Sequence, residues 1–159
     1  MIFVQCPAAT ARSVSRARCR WSRPRLGSEN QPMNRQQISS GSPYESTVGF
    51  SRALRVGDRI LVSGTAPIWR DGSCPADAGV QARRCLEIIE DALTESGAGL
   101  GDVVRTRMFL TSVRDAEAVG AVHGEVFGAV RPAATMVIVA GLLDSRWRVE
   151  MEAEAVVGT

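Results

Sequence analysis

No lysine occurs in the 159 residues, so all 19 basic positions are arginine. That absence excludes a Schiff-base lysine, a P-loop lysine and covalent attachment of pyridoxal phosphate. Aromatic residues make up only 5% of the chain, and there is a single histidine, His123. The four cysteines, Cys6, Cys19, Cys74 and Cys85, include no CxxC pair, so neither a zinc site nor a disulfide framework is indicated. No metal and no cofactor are expected, and a reducing cytoplasm is the simplest compartment. Long apolar runs are missing too. The longest candidate, Ala133 to Leu143, falls well short of the roughly 20 residues that a membrane helix needs.

Charge is unevenly spread. Residues 1–32 hold six arginines and one acid, a net of +5, so residues 33–159 carry −3 of the chain's total of +2. The basic isoelectric point of about 8.5 therefore belongs to the leader. An acidic globule is a poor partner for phosphate backbones, and nucleic acid is not expected to bind. The leader has no helical or strand period. Two readings fit it: an arginine-rich, acid-poor transit peptide, or an upstream extension with Met33 as the true initiator, which is favoured. Residues 1–43 are expected to be disordered and residues 44–159 to form one domain.

Regular signals begin after Gly49. The turn Gly57-Asp58 between apolar runs predicts a β-hairpin. Asp77 is placed to cap a helix running to about Ser96, with Ala82, Cys85, Leu86, Ile89, Ala92 and Leu93 on one face and Gly97 as its stop. A buried, inert thiol is expected at Cys85. DVVRTRMFLTS reads as a strand with Val104, Thr106, Met108 and Leu110 on one face. A second helix is expected from Arg114 to Phe127, with Ala118, Ala121, Val122, Glu125 and Val126 in helical spacing. Strands over 134–140 and 148–157 close the chain. In the last of these Val149, Met151, Ala153 and Ala155 alternate with Glu150, Glu152 and Glu154, whose side must meet solvent, arginines or a neighbouring chain. The order ββαβαββ predicts an α/β (α+β) mixed sheet with two helices on one face. Arg83, Arg84, Arg105 and Arg107 are expected to be solvated or paired with the domain's acids.

Four stretches, GFSRALRVGDRILVSGTAP, QARRCLEIIEDALTESGAGLGDVVRTRMFLTSV, GEVFGAVRPAATMVIVAGL and VEMEAEAV, together resemble the RidA/YjgF family of imine deaminases, also named for L-PSP endoribonucleases. The resemblance spans residues 44–157 and implies a chorismate-mutase-like fold, a homotrimer, and small-metabolite clefts between subunits. It implies ligand-binding roles for Phe50, Ser63, Gly64, Thr65, Phe127, Ala134 and Thr135. It also implies that Glu150 handles the hydrolytic water. His123 replaces a tyrosine of the family and is either a general acid or base or a cleft-lining residue.

One departure stands out. Deaminating members carry P-A-R-S, whose arginine grips the substrate carboxylate, whereas this chain reads Pro132-Ala133-Ala134-Thr135. Arg131 precedes the proline, and strand alternation does not aim it where Ala134 points. The expected function is metabolite binding by an arginine-lacking homotrimer, with a neutral or aromatic ligand and without standard 2-imino acid deamination. The alternatives are full enamine or imine deaminase activity, which Ala134 opposes, and endoribonuclease or translation-inhibitor activity, which the domain's net charge opposes.

Overall fold

The computed structural model describes residues 34–158. Its centre is the last strand. Residues Val149–Val156 form β6 (β1 to β5 and α1, α2 are defined below in chain order), and strict alternation buries Val149, Met151, Ala153 and Ala155 to 2% exposure or less. Helix α1, Ala78–Glu95, lies across that face. The Asp77 carboxylate accepts from the Val80 N–H at 2.8 Å and caps its first turn. At the other end Gly97, at φ +78°, reverses the chain, and the N–H groups of Gly97 and Ala98 close onto the carbonyls of Thr94 and Leu93. This is a Schellman cap, and only the glycine adopts it without strain. The whole expected face of α1, Cys85 included, is buried.

Six strands form one mixed sheet in the order β1-β2-β3-β6-β4-β5. They are β1 Arg35–Ile38, β2 Ala53–Val56, β3 Arg59–Thr65, β4 Val103–Leu110, β5 Ala133–Ile138 and β6. Only β4 and β5 run parallel, and α2, Ala116–Phe127, provides their crossover. Both helices thus cover one face. This is the expected α+β, chorismate-mutase-like architecture. The β2–β3 hairpin turns at Gly57-Asp58, with φ +63° on the glycine.

Three expectations need correction. The fold begins earlier than residue 44: β1 pairs with β2 from Arg35↔Val56 to Ile38↔Ala53, and Ile38 is 3% exposed in the core. Its sequence, RQQI, carries one apolar residue, too few to show a strand period. The expectations for residues 1–33, including disorder and initiation at Met33, lie outside the described residues. On β4 it is Val103, not Val104, that faces the helices, because the register against β6 slips between Val103 and Arg105 and leaves Val104 46% exposed. On α2 the inward residues are Val119, Val122 and Phe127, with Val126 half-buried, while Ala118, Ala121 and Glu125 are exposed. The larger side chains remove more apolar area from water, so they win the inward positions over alanines.

Ile38→Ala is expected to lower stability by about 2–5 kcal/mol, the range for truncating a buried aliphatic side chain. A chain beginning at Tyr44 should lose all of β1 and unfold at a lower denaturant midpoint still. Equal midpoints for the full chain and the Tyr44 start would show that β1 adds nothing.

Candidate functional site

An extra residue in β3 shapes the site. Val62 pairs with Ala153 and Thr65 with Met151, so three steps along β3 oppose two along β6 and the strand bulges at Ser63 and Gly64. Bulges of this kind re-aim the backbone beside functional groups. The Ser63 hydroxyl donates to the Ser51 carbonyl at 2.7 Å, which fixes one side of the bulge. At Gly64 a Cβ would overlap Glu150 Oε1, so the carboxylate rests directly on the glycine backbone. Phe50, 38% exposed, and Ser63 line an adjoining cavity of about 570 Å³ together with Arg35, Gln37, Leu54 and Leu61.

Glu150 differs from the other two glutamates on its face. Arg107 pairs with both Glu152 and Glu154, and Arg59 reaches Glu154 at 3.4 Å. Glu150 has no such ion pair among the described residues. Burial pushes its carboxyl above the ordinary range, opposed by nearby Arg52 and reinforced by Glu152. A carboxyl shifted in this direction holds its proton more readily than a solvated one. Arg83 and Arg84 pair with Glu125 and Glu87, as expected of surface arginines in an acidic domain.

The other expected residues gather elsewhere. Thr106 lies beside Ala153 of β6 and Ala134 of β5, on the helix-covered face. Its hydroxyl meets His123 Nε2 at 2.9 Å, and the imidazole stacks on Phe127 at a centroid distance of 4.8 Å. Burial lowers the His123 pKa, so the ring is held neutral at physiological pH. Glu150 pairs with Phe109 on the opposite face. Within one chain, therefore, His123 and Ala134 stand on one side of the sheet and Glu150 on the other. Thr135, exposed, alternates with Ala134 and registers with Arg107.

Two expected ligand contacts are corrected. The Thr65 side chain is fully buried and donates to the Ser63 carbonyl at 2.8 Å, so it serves the bulge. Phe127, 2% exposed, belongs to the core under α2. Both follow from alternation and helical phase once the bulge and the turn of α2 are known. Arg131 sits at φ +53°, its N–H bonded to the Phe127 carbonyl at 2.8 Å and its Nε to the Gly128 carbonyl at 3.2 Å. It closes the end of α2, an arrangement that favours a cation at the helix C-terminus. The residue that sequence reasoning passed over is Arg52, whose Nη2 donates to the Gly64 carbonyl at 2.8 Å. The available signal was its place two residues after Phe50 in FSRA.

A mixed sheet backed by two helices, with a half-buried carboxyl against a glycine bulge, is the plan of a small α+β protein with a candidate site at the sheet's uncovered side. Comparison with known proteins gives it a family: the chain belongs to the RidA/YjgF family, whose Endoribonuclease L-PSP profile matches residues 41–157. A crystal structure of a YjgF/YER057c/UK114 family member from Mycobacterium tuberculosis superposes with a TM-score of 0.72 at 43% identity, covering 77% of this chain and 99% of that one. An uncharacterized protein of Streptomyces coelicolor is 40% identical over 76% of this chain and 90% of its own length. The 2-iminobutanoate/2-iminopropanoate deaminase of Escherichia coli is 32% identical over 67% of this chain and 86% of its own.

The raised carboxyl carries a sign for stability. Glu150 holds its proton more tightly folded than unfolded, so its contribution is full below the unfolded carboxylate pKa and is lost as pH rises through the folded one. Glu150→Gln is accordingly expected to unfold at a higher temperature than wild type at pH 7. The gap should close on acidification below the ordinary carboxylate range. A variant less stable at both pH values would show that the ionised carboxylate is held favourably.

Proposed function

We propose that the chain assembles as a homotrimer, binds a small metabolite in clefts between subunits, and lacks the 2-imino acid hydrolysis of its deaminating relatives. The observation that carries this reading is the division of the expected site residues between two faces of one sheet. A single chain cannot close one pocket around both Glu150 and Ala134, whereas a neighbour's helix-covered edge laid against the uncovered face joins the two halves. That face has reason to be covered: Leu61 and Val137 remain 40% and 41% exposed on it, and a sheet with one solvated apolar side gains by burying it. Glu150, with its raised pKa, then serves the cleft water or a substrate proton.

Loss of the arginine limits the chemistry. A bidentate, desolvated arginine–carboxylate pair is worth on the order of 2–5 kcal/mol. At about 1.4 kcal/mol per decade, the upper half of that range reduces turnover to a few thousandths or less. Nothing else on β5 replaces it, because Arg131 is bound to the end of α2. Ribonuclease activity is the weaker reading. Arg59, Arg83, Arg84, Arg107, Arg146 and Arg148 are each already paired with a carboxylate, which leaves little positive surface for phosphates.

Light scattering at micromolar concentration is expected to return three times the chain mass, and a stable monomer would sink the cleft. In a coupled assay with 2-iminopropanoate the wild type should be nearly inert, and Ala134→Arg should gain at least tenfold. Robust wild-type turnover would refute the arginine argument. If both proteins are inert while trimeric, the cleft has diverged from hydrolysis altogether.

A further inference from the structure

Arg52 stands just before β2 and is tied to the bulge at two points. Its carbonyl accepts from the Ser63 N–H at 3.0 Å, and its Nη2 donates to the Gly64 carbonyl at 2.8 Å. The rest of the guanidinium is uncommitted. Nε is buried without an acceptor, and the bond to Gly64 is the side chain's one hydrogen bond among the described residues. Glu45 and Glu150 act on it through space, yet neither forms an ion pair with it. Glu45 is instead occupied by the Ser39 and Ser40 hydroxyls, at 2.5 and 2.6 Å. An arginine keeps its charge at any physiological pH. A largely desolvated charge with vacant donors is expensive unless an anion completes it.

We propose that Arg52 is the anion-binding residue of the Glu150 half-site and holds the carboxylate of a small ligand against the Ser63–Gly64 bulge. This rests on the reading of that half-site as a small-molecule site and departs from the expectation of a neutral ligand. A monoanionic carboxylate fits better than a phosphate, because Glu45 and Glu150 add like charge that a dianion meets twice over. The placement also explains how a carboxylate ligand and poor imine hydrolysis coexist. An arginine at position 134 would hold the carboxylate from β5 and the helix-covered face, leaving the ligand's other end to Glu150. Arg52 holds it beside Glu150 itself, so the carboxylate occupies the place where a reacting carbon would have to lie. The ligand is bound in the reverse sense.

The test uses the full chain, 2-oxobutanoate as the carboxylate probe and 2-oxobutanamide as its neutral counterpart. Affinity is read by titration calorimetry, and location by the backbone amide resonances of Ser63 and Gly64. The acid is expected to bind at least tenfold more tightly than the amide and to shift both resonances. Arg52→Gln should weaken the acid at least tenfold and leave the amide unchanged. Arg52→Lys, which keeps the charge without the planar fork, should fall between. Equal affinity for acid and amide, or no loss in Arg52→Gln, overturns the role of Arg52 while the small-molecule site stands. If neither probe moves Ser63 or Gly64, the site reading falls with it. Should Arg52→Gln fail to fold, the acid–amide difference in the unaltered chain and the Arg52→Lys affinities decide the matter.

Discussion

Everything in this molecule is organised around the two faces of β6. One face carries Val149, Met151, Ala153 and Ala155 into the core beneath α1, and a shift of one residue would drive Glu150, Glu152 and Glu154 inward. That prospect fixes the register of β3 and β4 on either side. The opposite face must then carry Glu150, Glu152 and Glu154 in a row, and three like charges about two residues apart repel unless neutralised. Arg107 and Arg59, on the two flanking strands, neutralise two of them. The third is left to the bulge. The candidate site is thus a by-product of the sheet's central strand: its geometry comes from core packing and its chemistry from the one glutamate of the three that forms no ion pair with an arginine among the described residues.

The parts that were legible in the sequence are those that depend on a single local period. The α1 face, its Asp77 cap and Gly97 stop, the hairpin at Gly57-Asp58 and the alternation of β6 are all set by residues within one element. What escaped depends on partners. β1 is a strand because β2 offers it an edge and because Ile38 finds the core, and RQQI states neither. Val103 displaces Val104 through a register slip that exists only against β6. The phase of α2 is settled by how much area Val119, Val122 and Phe127 can bury, not by the count of small apolar residues along it.

The same distinction runs through the site. The resemblance to the family identified Glu150, Ser63 and Gly64, and these three do come together. It also suggested Thr65 and Phe127, which sit at positions of the correct type yet spend their side chains on the fold. Strand alternation alone could not tell Glu150 from Glu152 and Glu154, since all three occupy equivalent strand positions. Only the flanking arginines make them unequal. Nor could it show that His123, held by Thr106 and Phe127, lies across the sheet from Glu150.

Arg52 and Ala134 are best understood together. A cleft built from two half-sites can hold its ligand's charge from either half, and which half does so fixes the ligand's orientation relative to Glu150. An arginine on β5 and an arginine on the bulge would compete for one carboxylate and would repel each other across a narrow cleft in the absence of ligand. With alanine at position 134, Arg52 faces no such rival. Its burial lowers the stability of its charged form, and Glu45 and Glu150 offset this from a distance. Glu150 in turn is drawn toward ionisation by Arg52 against the pull of burial. Each group therefore partly offsets the cost of charge that burial places on the other. A ligand carboxylate added to this pair would complete Arg52 and, by its charge, favour the protonated form of Glu150.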